Sequence, residues 1–322
     1  MSLLKEITKD TQLNNNMVKK LHKRIDTDML QLYSLCVIPL LFLFVFNYIP
    51  MGGIIIAFKN YKFNLGILGS EWIGLRNFEY FVTSNDFARV AFNTIYMNVL
   101  FIVFGTLASI ILAILLYDLT SRKMTKVFQT VLITPTFISW VVVGFMVYGL
   151  LNPSYGIVNG LLNKLGFEGF DWYTMPEIWP VILTAASIWK NVGMDCIIYY
   201  AFLMGMDETI FESANVDGAN KLQRNIYIIF PSLLRLLTVL VVMKVGNIFR
   251  ADFGLFYQLP RDVGALYKTT DVMDTYIYRL MRGIGDMGMS TAVSLLQSAV
   301  GIVMVMITNK IAKKVDPDGG LF

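Results

Sequence analysis

Phe211–Pro231 reads FESANVDGANKLQRNIYIIFP. Most of the segment is polar, yet it lies between two long apolar runs, and it is longer than a bare connector between helices needs to be. Asp207 predicts a helix start, with Glu208 near the positive end of that helix. Phe211, Ala214 and Asn215 recur at helical spacing, so a helix over 208–216 is expected. Gly218 permits a turn that other residues resist. A second short helix is expected from Ala219 to about Ile228. Leu222, Ile226 and Ile229 form its apolar face, Asp217 is its candidate cap, and Pro231 opens the next span. Spacing alone leaves two readings: a re-entry loop lying on lipid headgroups, or a protruding knob that another protein grips.

The surroundings set the class. Of 322 residues, 56% are hydrophobic and 16% charged, and the mean hydropathy is +0.58. A soluble domain of this size needs more charge to cover its surface, so the chain reads as an integral membrane protein. The net charge of +4 is small and scattered, which argues against nucleic acid as a partner. Cys36 and Cys196 sit inside apolar runs and read as small core hydrophobes. His22 is alone, so it makes neither a zinc site nor a catalytic triad. The first 28 residues are polar, with Lys5, Lys9, Lys19, Lys20, Lys23 and Arg24. The apolar run that follows is too long for a signal sequence and is expected to remain as the first span.

A span needs about 20 largely apolar residues. Six candidates fall near 30–58, 90–117, 127–150, 178–206, 231–249 and 287–309. Residues 1–29 and 310–322 flank this single membrane domain. Lysines and arginines near span ends set orientation. The N-terminal group, the link DLTSRKMTK with Arg122, Lys123 and Lys126, and the group Lys310, Lys313 and Lys314 all share one side. Both termini and the segment 207–230 are therefore expected in the cytoplasm. The long outer loop with Arg250, Arg261, Lys268, Arg279 and Arg282 departs from the rule. An interfacial helix is expected within EWIGLRNFEYF (71–81), and Asp271, Asp274 and Tyr276 are expected over a pore mouth or against an external partner.

Charges inside spans are costly and usually face protein or water. The fourth span carries Lys190 and Asp195, with Trp189 and Asn191 beside them; the fifth carries Arg235, Lys244 and Asn247. Asn98, Trp140 and Tyr148 are further candidates in the second and third spans. Such a mixture suits sugars, whose hydroxyls need polar partners and whose ring faces stack on aromatics. Lys190 and Lys244 would answer the carboxylates of uronic acids. The alternative is that Lys190, Asp195 and Lys244 pair structurally or reach to a membrane edge. No G-x-x-x-x-G-K-[ST] run is present, so ATP hydrolysis by this chain is not expected.

Glu212-Ser213-Ala214, then Asp217-Gly218-Ala219, then Ile228-Ile229-Phe230-Pro231 resembles the cytoplasmic EAA signature of type I ATP-binding-cassette (ABC) importer permeases. Ser213 stands where the signature has its first alanine, and Phe230 where it has leucine. GLRNFEYF (74–81), FNTIYMN (92–98), QTVLITPTFISWVVVG (129–144), SIWKNVG (187–193) and TTDVMDTYIYR (269–279) are similar to the carbohydrate branch, the LplB/YteP-like permeases for complex oligosaccharides. The resemblance covers nearly the whole chain beyond residue 30. It implies an all-α membrane protein with six transmembrane helices in the type I (MetI-like) permease fold and a coupling helix between spans four and five. It also implies a second homologous permease, two copies of a cytoplasmic ABC ATPase that bind ATP and Mg, and an extracellular solute-binding protein that delivers an oligosaccharide. The implied ATPase contact comprises Glu212, Ser213, Ala214, Asp217, Gly218, Ala219 and Pro231, with Lys221 and Arg224 meeting the ATPase or lipid phosphates. A permease for another solute, or a non-transport membrane scaffold, is the alternative.

Overall fold

The computed structural model describes residues 29–315, apart from the side chains of Glu208, Arg235, Lys314 and Val315. The six basic residues that precede the first span, His22 and residues 316–322 lie outside the described residues. Two compact units divide the chain, Met1–Ile55 and Ile56–Phe322. Nearly all of helix α1 (Met29–Phe58) belongs to the first. Its helical path widens into a π turn over Phe44–Tyr48, where the Ile49 N–H donates to Phe44 O. Pro50 follows at once; its ring and missing N–H disturb an ordinary α turn, and the wider turn absorbs that.

The second unit begins with a two-stranded ribbon, β1 (Lys59–Asn60) against β2 (Glu71–Trp72). The short helix α2 (Arg76–Thr83) buries Asn77 and Phe81. Asn77 donates from Nδ2 to Ala57 O at 2.9 Å and Lys59 O at 3.1 Å, which pins the helix to the ribbon. Helix α3 (Asn85–Tyr117) starts at Ser84, whose hydroxyl accepts from the Phe87 N–H. It runs for 33 residues and packs along α7 (Trp179–Met204). Between them in sequence lie α4 (Arg122–Ile133), α5 (Trp140–Leu151) and the short α6 (Ile157–Lys164).

The third predicted span, 127–150, is not one straight helix. Arg122–Phe137 and Trp140–Leu151 meet at 96°. Pro135 sits in a 3-10 turn over Thr134–Phe137, Ile138 is extended, and Ser139 caps α5 through the Val142 N–H. Proline removes a donor and a new cap starts a new helix, so the path turns there.

The opening segment also differs from its expected form. Helix α8 (Glu208–Val216) starts at Asp207, whose carboxylate accepts from the Thr209 N–H at 3.0 Å. That hydrogen bond holds the carboxyl below its usual range. Gly218 takes φ +78°, a left-handed turn where a Cβ is disfavoured. The cap of the next helix, α9 (Lys221–Arg224), is Asn220 and not Asp217: Asn220 and Gln223 exchange hydrogen bonds in a capping box. The chain then continues through a π turn, Asn225–Ile229, into α10 (Phe230–Gly246) without stopping at Pro231, and bends by 49° between Leu234 and Leu236. Of the expected apolar face only Ile229 is buried; Leu222 and Ile226 are exposed.

Helices α11 (Phe253–Gln258) and α12 (Met273–Arg279) follow, and α13 (Met287–Val315) carries Lys310 and Lys313 as a continuation of the last apolar run. Among the described residues, four helices are long and apolar enough to cross a membrane, or six if each bent pair is one span. The core has three parts. One joins Met97, Val143, Trp179, Leu183 and Phe256; a second joins Ile110, Ala113, Cys196, Tyr199, Phe211 and Ile229; a third joins Phe81, Val90, Met273 and Tyr276.

Close approach of α7 to α4 depends on Gly193, where a Cβ would lie 2.0 Å from Leu132 O. That oxygen belongs to backbone and has little room to yield. Gly193→Ala is expected to cost about 1–3 kcal/mol or more. The change is read as a lower thermal midpoint of the detergent-solubilised protein, with Gly105→Ala, whose Cβ meets nothing within 4 Å, as the control.

Candidate functional site

The elbow α8–α9 rests on one aromatic anchor. Phe211 is buried and packs on the Tyr117 ring, with centroids 5.7 Å apart, while the Arg224 guanidinium lies over the Phe211 ring, 5.8 Å from its centroid. Arg224 also forms an ion pair with Asp118, and Asn225 donates to the same carboxylate at 3.4 Å. Arg224 is thus committed within the chain, at the end of α3. Glu212, Ser213, Asp217 and Gly218 are exposed, and Ala214 and Ala219 are half-buried. The Ser213 hydroxyl donates back to Thr209 O at 2.8 Å, so it adds no bulk to the outer face. Val216 and Tyr227 are exposed as well. The result is a knob whose inner side is packed and whose outer side presents the Glu212 and Asp217 carboxylates, small residues and apolar groups.

Lys190 has a different role from Lys244. Its ammonium donates to Pro135 O at 3.3 Å, Thr136 O at 2.7 Å and Ile138 O at 2.5 Å. Those carbonyls lie at the 96° turn, where helical partners are missing. In return the Thr136 hydroxyl donates to Lys190 O at 2.8 Å, and the Trp140 ring centroid lies 5.3 Å from the ammonium. An ammonium has three donors and no acceptor, which matches three carbonyls, of which Pro135 O also accepts from the Ile138 N–H at 3.1 Å. Trp140 itself donates from Nε1 to Asp252 at 2.6 Å.

Between the first two core clusters lies a cavity of about 570 Å³. Three helix faces supply its wall. α3 presents Asn98, Phe101, Ile102 and Gly105; α7 presents Ser187, Asn191 and Asp195, one turn apart; α10 and the turn after it present Lys244, Asn247 and Arg250. Lys244 Nζ lies 2.5 Å from Asp195 Oδ2, and both side chains are about one-third exposed. Asn98 donates from Nδ2 to Ile248 O at 3.0 Å and Arg250 O at 2.9 Å, fixing the turn that carries Arg250.

Five of the predicted pathway residues therefore meet at one cavity: Asn98, Asn191, Asp195, Lys244 and Asn247. Four do not line it. Lys190 and Trp140 build the helix break; Tyr148 lies under the Arg261 guanidinium at 4.0 Å; Trp189 joins an apolar groove with Val143, Leu150 and Ile182. Ser187 and Arg250 escaped the sequence reading. Ser187 was visible as the first of three polar positions spaced four apart on an apolar helix. Arg250 was counted as a loop charge, because it lies past the last helical residue.

The segment 269–279 is packed into the protein. Asp271, with its side chain fully buried, meets Arg89 at 3.0 Å and Arg279 at 2.6 Å. Asp274 accepts from the Ala251 N–H at 2.8 Å and from the Gln297 amide at 3.0 Å, and burial pushes its carboxyl upward against those bonds. Tyr276 packs on Phe81, and its hydroxyl is pushed up to about 12 chiefly by burial. These contacts hold α12 over the start of α3, close to the turn that places Arg250.

A polar cavity between apolar helices, continuous through α10 with an exposed elbow, is the layout of a membrane transport subunit. Known proteins agree. The chain is 32% identical over 304 residues, 94% of each chain, to the polygalacturonan/rhamnogalacturonan transport system permease protein YteP of Bacillus subtilis (strain 168). It is 32% identical over 288 residues to Protein LplB of the same organism, covering 89% of this chain and 90% of LplB. The crystal structure of a bacterial ABC transporter involved in the import of the acidic polysaccharide alginate contains a chain that superimposes with a TM-score of 0.82 at 32% identity, over 92% of this chain and 99% of that one. No protein-family model matches the chain. The chain belongs to the permease subunits of type I ABC importers, in their carbohydrate branch. It is a multi-pass protein of the inner membrane and not itself an enzyme.

Lys190→Met leaves the carbonyls of Thr136 and Ile138 without the ammonium, while Pro135 O keeps the Ile138 N–H. Each buried unsatisfied group costs about 1–3 kcal/mol, so a marked drop in thermal midpoint in detergent is expected. Asn191→Ala, one residue away and facing the cavity, is expected to leave that midpoint close to the parent's.

Proposed function

We propose that this chain forms half of a heterodimeric pore that imports oligosaccharides, including acidic ones derived from plant or algal polysaccharides. The observation that carries this reading is the cavity wall: hydrogen-bonding side chains from three helices, with Lys244 and Arg250 among them, beside Phe101. Its volume lies within the ~300–1,000 Å³ typical of small-molecule sites. Asn98, Ser187, Asn191 and Asn247 suit hydroxyls, and the cations suit uronate carboxylates. One relative is named for polygalacturonan/rhamnogalacturonan transport and the similar transporter imports the acidic polysaccharide alginate, which supports the same cargo class here.

The pore is completed by a second homologous permease. An extracellular solute-binding protein delivers cargo, and two copies of a cytoplasmic ABC ATPase bind ATP and Mg. In this reading the chain crosses the membrane six times, each bent pair counting as one span, with 1–29 and 310–322 in the cytoplasm. The elbow 207–230 then faces the ATPase. Glu212 supplies a charge-assisted contact; Ser213, Ala214 and Ala219 allow close approach; Gly218 makes the turn; Asp217 faces outward beside it, and Pro231 sits where the elbow enters α10. Force on the elbow reaches the cavity directly, since α10 carries Lys244.

The test is ATP-driven uptake of a galacturonic acid trisaccharide by the complete complex in proteoliposomes. Glu212→Lys combined with Gly218→Val is expected to release the ATPase during purification and abolish uptake while leaving the permease pair assembled. Arg250→Ala is expected to raise the half-saturation concentration for the acidic trisaccharide roughly tenfold, equivalent to about 1.4 kcal/mol. An ATPase that stays bound and active in the elbow variant would refute the coupling assignment.

A further inference from the structure

We infer that Asp195 determines cargo specificity, because its carboxylate holds Lys244 in the place that a cargo carboxylate takes during transport. This inference rests on the acidic-oligosaccharide reading and deepens it. Three charged side chains line the cavity: Asp195, Lys244 and Arg250. Asp195 Oδ2 and Lys244 Nζ lie 2.5 Å apart, and their side chains are 30% and 32% exposed. The pair is thus neither sealed in the core nor free on the surface; an incoming anion can reach it. Lys190, the other lysine of these spans, is committed to three carbonyls and does not compete.

The chemistry is an exchange of one carboxylate for another. Removing a partner from a partly shielded ion pair leaves an uncompensated charge, which is unfavourable. If a uronate carboxylate approaches from the cavity, Lys244 can pass from Asp195 to the cargo without that cost, because its ammonium sits on a flexible stem with three rotatable donors. Asp195, displaced from Lys244, lies on the same wall as Asn191 and Ser187, one and two turns away along α7. A neutral sugar offers no anion for the exchange and leaves the pair intact. On exit, Asp195 recovers Lys244 and so drives the anion off. The pair also ties α7 to α10, the helix that continues from the elbow. Loading an acidic residue therefore loosens the tie at the position where the elbow's movement arrives.

The experiment compares uptake of a galacturonic acid trisaccharide with that of its methyl ester, using the complete complex in proteoliposomes. Asp195→Asn is expected to lower the half-saturation concentration for the acid by about five- to tenfold and to lower its maximal rate, since release loses its competitor. The values for the methyl ester should stay within about twofold of the parent's. Equal shifts for both cargoes, or no shift for the acid, would overturn the inference and leave Asp195 with a purely structural role. If Asp195→Asn alone fails to assemble, Asp195→Asn with Lys244→Gln removes both charges together. That variant should weaken the preference for acid over ester to what Arg250 alone supports, and a preference equal to the parent's would overturn the inference. Should the parent complex itself treat acid and ester alike, the acidic-cargo reading fails first; discrimination by the parent that persists unchanged in Asp195→Asn sinks the role of Asp195 alone.

Discussion

An apolar solvent offers no hydrogen bonds, so every polar group placed at membrane depth needs a partner within the protein. The structure depends on how that constraint is met at the bend after α4. A helix turned through 96° exposes carbonyls that its own backbone no longer satisfies, and Lys190 supplies the missing donors from α7. The contact fixes the break, and Gly193 one turn away lets the two backbones meet. With α4 and α5 held in this way, one face of α7 is committed to packing. Its neighbouring face, Ser187, Asn191 and Asp195, is left for the cavity.

The same rule operates around the cavity with a different outcome. Asn98 spends its amide protons on the backbone of the turn after α10, which is why Arg250 lies in the wall and does not trail into a loop. Asp195 and Lys244 satisfy each other but stay reachable. Lys190 and Lys244 are chemically identical side chains in similar apolar helices. One meets fixed carbonyl dipoles and becomes part of the scaffold; the other meets a partly exposed carboxylate and stays reachable.

The elbow is joined to this wall through α10. Phe211 packs on Tyr117 at the end of α3, and Arg224 pairs with Asp118 next to it. The π turn at Asn225–Ile229 then leads into α10 without an intervening loop. The elbow thus meets the cavity helices through helix and ring contacts and not through slack chain. α3 and α10, the two helices held at the elbow, both carry cavity residues.

Local chemistry was legible in the sequence. Asp207 as a cap, Gly218 as a left-handed turn, the apolar runs and the polar positions within them follow from each residue's neighbours, because capping, backbone sterics and hydrophobic length act over a few residues. Residues 127–150 read as one span, and the turn at Pro135 emerged only in the structure. The cap of α9 was misplaced from Asn220 to Asp217 because both residue types cap well. Leu222 and Ile226 looked like a buried face but lie on the surface. Which charge lines the cavity and which is spent on the scaffold was decided only by tertiary structure. The direction a side chain takes around a helix axis depends on what packs against that helix, and the groups that settle it for Lys190, Asp195 and Arg250 come from segments between 49 and 152 residues away.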